Sequence, residues 1–201
     1  MEQTLKSDKR KIKPEALESL RATILALFSE DEFHRVGIRD ICKRAKVSPQ
    51  TVYKYYGNKE ELLLACIEPD MVELTALAKE RSRTAVGLKA KLSALASTQF
   101  EFYAERPVIA KLVFMNLPPI FWVNRASVAQ AEFQDLYEDV LKEARAAGEL
   151  PDTLDLTLLQ DISSGAASRV ILRWLSAGAK DDLRTSGKAY FELLWRLANG
   201  N

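Results

Sequence analysis

The most constraining stretch is Lys46-Val47-Ser48, because it leaves only three residues between two short helical patterns. Ahead of it, Ile38, Ile41, Cys42 and Ala45 follow Gly37 at spacings that put all four on one helix face. Behind it, Ser48-Pro49 reads as a helix start, a hydroxyl cap followed by proline at the first helical position. Gly57-Asn58 then stops the second helix, so it can run only about from 49 to 55. Two short helices joined by a three-residue turn have the spacing of a helix-turn-helix, in which the first helix braces the second across the DNA major groove. An ordinary helical corner with a tyrosine-rich surface has the same local signals.

On the second helix, Val52 and Tyr56 lie four apart and face the core, and Val47 plugs the corner. Pro49, Gln50, Tyr53 and Lys54 then project outward, with Thr51 and Tyr55 at the flanks. The Gln50 amide has the donor and acceptor needed to pair with adenine N6 and N7, and the Thr51 methyl suits a thymine methyl. Tyr53, Lys54 and Lys59 are natural phosphate donors.

Helical periodicity continues on both sides. Pro14 opens a helix whose residues Leu17, Leu20, Ile24, Leu27 and Phe28 form one apolar face ending near Asp31. Asn58 caps a fourth helix from Lys59, which Pro69 is expected to bend or split. Further helices are expected at Leu88 to Phe102, Val108–Met115, about Asn124 to Ala147, 153–177 and 181–198. No segment alternates apolar and polar residues convincingly, and no Walker or dinucleotide glycine pattern occurs. The expected fold is all-α. Its parts are a flexible basic arm (1–13), an N-terminal three-helix DNA-binding domain (14–58) and a C-terminal helical domain (59–201) for ligand binding and dimerisation.

Charge is distributed to match. Residues 1–60 hold 13 Lys and Arg against 9 Asp and Glu, leaving 16 against 19 beyond, so a +4 head and a −3 body hide inside a net charge of +1. One part of the chain is thereby suited to a polyanion. A single histidine, His34, and two cysteines, Cys42 and Cys66, disfavour enzyme chemistry and supply no metal cluster. No catalytic residue, metal or cofactor is expected. The lysine-rich start lacks the apolar core of a signal peptide, and no run nears the ~20 apolar residues of a membrane span. A cytoplasmic protein without a membrane partner follows. The cysteine pair admits a redox switch, with core packing the favoured role for Cys42.

The order Ile38-Arg39-Asp40-Ile41, Ala45-Lys46-Val47-Ser48, Thr51-Val52-Tyr53-Lys54-Tyr55-Tyr56-Gly57-Asn58-Lys59-Glu60-Glu61-Leu62-Leu63 resembles the DNA-binding domain of the TetR family of bacterial transcription regulators, over roughly residues 12–66. The resemblance implies that Ser48 caps the recognition helix and that Thr51 contacts DNA beside Tyr53. It also implies that Lys59 holds a phosphate and that Arg39 reaches a phosphate or a base edge. Three positions depart from the family pattern: Glu32 in place of a glycine, Gly37 in place of a capping threonine, and Lys46 in place of the turn glycine. Lys46 adds a cation near the DNA backbone. A left-handed conformation there would cost a lysine about 1 kcal/mol relative to glycine.

Beyond residue 66 the resemblance is architectural. It implies a homodimer formed through the last two long helices, a small-molecule ligand, and a two-fold symmetric double-stranded operator with half-sites ~34 Å apart. Candidate dimer residues are Leu159, Ile162, Gly165, Ala166, Val170 and Trp174, with Tyr190, Leu194 and Leu197 on the final helix. Candidate ligand residues are the mid-chain Phe100, Tyr103, Phe114, Met115, Trp122, Phe133 and Tyr137, with Asn116 and Arg169 to orient a polar group. The function read from these parts is a repressor released from DNA by a small apolar or aromatic ligand. The alternative is a helical small-molecule or protein-binding module with no transcriptional role.

Overall fold

In a computed structural model, the described part of the chain is residues 13–29, 37–117 and 128–199. Among these residues there are nine α-helices and no strand. They are α1 (Pro14–Ser29), α2 (Ile38–Ala45), α3 (Pro49–Tyr56), α4 (Lys59–Thr84), α5 (Leu88–Glu105), α6 (Pro107–Lys111), α7 (Val128–Ala146), α8 (Leu156–Ser176) and α9 (Leu183–Asn199). A π-helical turn, Leu112–Asn116, continues α6. The basic arm, His34 and the 118–127 segment with Trp122 lie outside the described residues. The chain divides into two compact units, Met1–Glu68 and Pro69–Asn201.

The first unit closes around the residues whose spacing defines its helices. Leu20 and Ile24 of α1, Ile41 and Cys42 of α2, Val52 of α3, and Leu62, Cys66 and Ile67 of α4 are all fully buried. Two polar links tie the helices together. The Ser19 hydroxyl donates to the Ala45 carbonyl at 3.0 Å, and Arg21 Nε donates to the Cys66 carbonyl at 3.1 Å.

The turn between α2 and α3 follows from its caps. Lys46 takes φ 56° and ψ 33°, the left-handed conformation that favours glycine. The chain reversal is sealed by the Val47 N–H, which donates to the Cys42 carbonyl at 2.9 Å. At the other end of α2, Gly37 offers no side chain, and the Asp40 carboxylate instead accepts from the Gly37 N–H at 2.9 Å.

Pro69 does not split α4, which runs unbroken from Lys59 to Thr84. A proline removes one backbone hydrogen bond, and its ring here is exposed. Buried Leu63, Ile67, Met71 and Leu74 hold the helix on either side. Burial outweighs the local break.

In the second unit α5 packs most extensively against α9. Around that pair, Leu92 and Leu95 of α5, Leu141 and Ala144 of α7, Leu159 of α8, and Phe191 and Leu194 of α9 form one buried cluster. Helix α8 starts at Leu156, later than its apolar pattern implies, because the Asp155 carboxylate caps it by accepting from the Leu158 N–H at 3.0 Å.

Candidate nucleic-acid interface and ligand cavity

Helix α3 has eight residues and is about 12 Å long at ~1.5 Å per residue, a length matched to the ~12 Å width of the major groove. Ser48 Oγ accepts from the Gln50 N–H at 3.2 Å, satisfying one of the free donors at the start of the helix. With Val52 fully buried, the opposite side of the helix faces solvent: Gln50 and Lys54 are exposed and Tyr53 is 50% exposed. Thr51 and Tyr55 are half-buried at the edges, and the Lys54 ammonium lies 5.6 Å from the Tyr55 ring centroid. Lys13 and Ala16 of the α1 start join Gln50, Thr51, Lys54 and Tyr55 around an open groove of about 450 Å³.

The remaining candidates surround this face. Arg39, Lys46 and Ser48 are exposed, and Pro49 is half-buried. Lys59, at the first position of α4, is half-buried; burial lowers its ammonium pKa while Glu60 opposes the change. The Asn58 side-chain carbonyl caps α4 by accepting from the Glu61 N–H at 2.8 Å. Chemically, this is a short helix end bearing an amide, a phenol and an ammonium group on one side.

A separate cavity of about 80 Å³ lies between α5, α7, α8 and α9. Three hydroxyls meet in its wall: Tyr137 and Ser163 are 3.0 Å apart, and Ser163 and Tyr190 are 2.7 Å apart. Burial raises the pKa of both phenols, so both stay protonated near neutral pH. Beside them, Gln160 Nε2 donates to the backbone carbonyl of Gln134 at 3.2 Å.

Of the mid-chain candidates, Phe133 and Tyr137 line this cavity. Phe100 and Tyr103 are buried in packing instead: Phe100 lies 5.2 Å from the Tyr190 ring, and Tyr103 meets Phe114 edge-on at 5.0 Å. Asn116 donates to the Lys111 carbonyl at 2.9 Å, while Met115 and Arg169 are exposed. Tyr190 and Leu194, expected on a dimer face, line the cavity. Sequence reasoning missed Gln99, Gln134 and Gln160 as lining residues. The usable signal was the spacing of three in Gln134/Tyr137 and Gln160/Ser163, polar pairs set in otherwise apolar helix faces.

Residues 20–66, which contain α2, α3 and the start of α4, match the family described as "Bacterial regulatory proteins, tetR family". That segment has the sequence of a TetR-family DNA-binding domain. The protein is a DNA-binding transcriptional regulator. Over nearly its whole length, the chain is similar to the fatty acid metabolism regulator protein of Bacillus subtilis (strain 168). The two are 22% identical over 184 residues, covering 90% of this chain and 94% of that protein. Its fold matches the fatty acid degradation regulator FadR from Bacillus halodurans with a TM-score of 0.74, 22% identity, and coverage of 92% and 96%. It also matches FadR from Bacillus subtilis in complex with stearoyl-CoA, with a TM-score of 0.72, 21% identity, and coverage of 88% and 96%.

The last two helices also carry exposed apolar residues. On α8, Leu158 and Ile162 are 54% and 50% exposed, and Gly165 and Ala166 continue the same side. On α9, Leu193 and Leu197 are 61% and 68% exposed. Of the other dimer candidates, Leu159 and Trp174 are buried within the chain and Val170 is half-buried. The Trp174 indole donates to the Asp181 carbonyl at 2.8 Å.

Proposed function

We propose that the protein is a homodimeric repressor that reads a two-fold operator with paired α3 helices and is released when a compact apolar or aromatic ligand enters the α5/α7/α8/α9 cavity. The observation that carries the DNA-reading role is the placement of Gln50, Tyr53 and Lys54 on the solvent side of a capped α3 whose Val52 is fully buried. Lys54, Lys59 and Tyr53 supply phosphate contacts, Gln50 and Thr51 read base edges, and Arg39 and Lys46 add cations at the margin. Dimerisation uses the exposed Leu158, Ile162, Leu193 and Leu197, whose burial against a second copy removes apolar surface from water.

The ligand shifts the balance only by binding one conformation better than the other. Helix α4 runs unbroken past the unit boundary at Glu68/Pro69, so it is the element through which that preference would reach the recognition helix. One relative is named for fatty acid metabolism and one structural neighbour holds stearoyl-CoA, so acyl-CoA is the competing ligand class. The small cavity favours a compact molecule.

Electrophoretic mobility shift with the promoter region next to the protein's own gene tests this reading. Specific binding should fall steeply with salt and be lost in Gln50→Ala and Tyr53→Ala. Absence of specific binding at any salt concentration sinks it.

A further inference from the structure

The three cavity hydroxyls can be ordered proton by proton. The Tyr190 hydroxyl donates to the backbone carbonyl of Ser163 at 2.9 Å. Its oxygen therefore accepts the Ser163 proton across the 2.7 Å contact. With that proton used, Ser163 Oγ accepts from the Tyr137 hydroxyl at 3.0 Å. All three protons are committed within the wall, so the hydroxyls can only accept from a ligand: Tyr137 Oη keeps both its lone pairs, while Ser163 Oγ and Tyr190 Oη keep one each. The network thus presents an acceptor to the cavity.

The rest of the wall sets the charge that fits. Every described lining side chain is alkyl, aromatic, hydroxyl or carboxamide, with Phe133, Leu92 and Phe191 beside Gln99 and Gln160. An ionised carboxylate or ammonium entering here would exchange its hydration for neutral dipoles, which costs far more than moving a neutral hydroxyl. The scale is set by volume: a pocket of about 150 Å³ takes benzene, and this one, near 80 Å³, needs only modest opening for a single ring.

Resting on the reading of this cavity as the effector site, we propose that it selects an uncharged, compact aromatic or alkyl ligand bearing a hydroxyl, which donates to Tyr137 Oη. Neutral phenols and alcohols are the class of effector. Carboxylates, amines and acyl-CoA thioesters are rejected by charge or by the lack of a donor.

The experiment is calorimetric titration of the full-length protein at pH 7 with 4-methylphenol, toluene, 4-methylbenzoate and octanoyl-CoA. Binding of 4-methylphenol should exceed that of 4-methylbenzoate at least tenfold. It should exceed that of toluene by about three- to tenfold, the worth of one hydrogen bond. Tyr137→Phe should remove the advantage of 4-methylphenol over toluene while toluene keeps its affinity; general damage to the cavity would weaken both. Equal or tighter binding of the benzoate overturns the proposal, as does a phenol advantage that survives Tyr137→Phe. If octanoyl-CoA alone binds and releases DNA, this inference falls and the repressor reading stands. If the phenol binds with the predicted selectivity but leaves operator binding unchanged, the cavity chemistry stands and ligand-driven release falls.

Discussion

Gly187 of α9 lies against Phe100 of α5 so closely that a Cβ at residue 187 would sit 2.6 Å from Phe100 Cγ. Both residues are buried, and the atom met is the root of the ring, which cannot swing away. Helices α5 and α9 therefore cross at a distance only glycine permits. Gly187→Ala should lower stability by about 1–3 kcal/mol through overpacking, more than the helix propensity it gains. For a chain of this length that is a loss of about 2–4 °C in Tm per kcal/mol, measurable by thermal circular dichroism. An unchanged or raised Tm would refute the close crossing.

Lys46 stores strain in the turn. Its left-handed backbone should make Lys46→Gly stabilising by about 1 kcal/mol, read as a higher denaturant midpoint of the first unit. DNA affinity should move the other way, with a shallower salt dependence, because a cation beside the recognition helix is gone. A destabilised glycine variant would contradict the geometry.

Ser48 is the only side-chain cap on α3, so Ser48→Ala should cost about 0.5–2 kcal/mol and weaken operator binding by fraying the reading helix. Ser48→Asp should retain the cap but repel phosphate. The pair separates folding from electrostatics: equal stability with unequal DNA affinity is the expected pattern.

Both cysteines are buried, and burial pushes the Cys66 thiol up to about 12 and raises that of Cys42. Neither is a thiolate near neutral pH, so native-state alkylation should be slow and should accelerate sharply in denaturant. The thiol is less acidic folded than unfolded, so its contribution to stability is complete below about pH 8.5 and is lost as pH rises toward 12. Cys66→Ala should flatten that alkaline decline. Rapid labelling of the folded protein at pH 7 would revive a redox role.

How much of this could be read from sequence depends on whether the signal is local. Ser48-Pro49, Gly57-Asn58 and the buried spacing of Ile38, Ile41, Cys42 and Ala45 are set by neighbours a few residues apart, and the helices begin and end where those signals place them. Pro69 does not split its helix, because its local penalty is outweighed by core contacts from residues on both sides of it. On α9 the stripe of Tyr190, Leu194 and Leu197 was legible as apolar, yet periodicity does not say which neighbour an apolar side meets. Tyr190 and Leu194 turn to the cavity, while Leu197 stays exposed with Leu193. The Tyr137, Ser163 and Tyr190 hydroxyls come from three helices, and the Gly187 contact from two, so neither exists as a pattern along the chain.

Ligand-driven release requires that cavity occupancy and operator binding be coupled. Fluorescence anisotropy with the protein's own promoter fragment, with and without saturating 4-methylphenol, measures that coupling directly. Operator affinity should be at least tenfold weaker with ligand, and by reciprocity ligand affinity for the DNA-bound protein should fall by the same factor. Identical operator affinity with the cavity filled would contradict it.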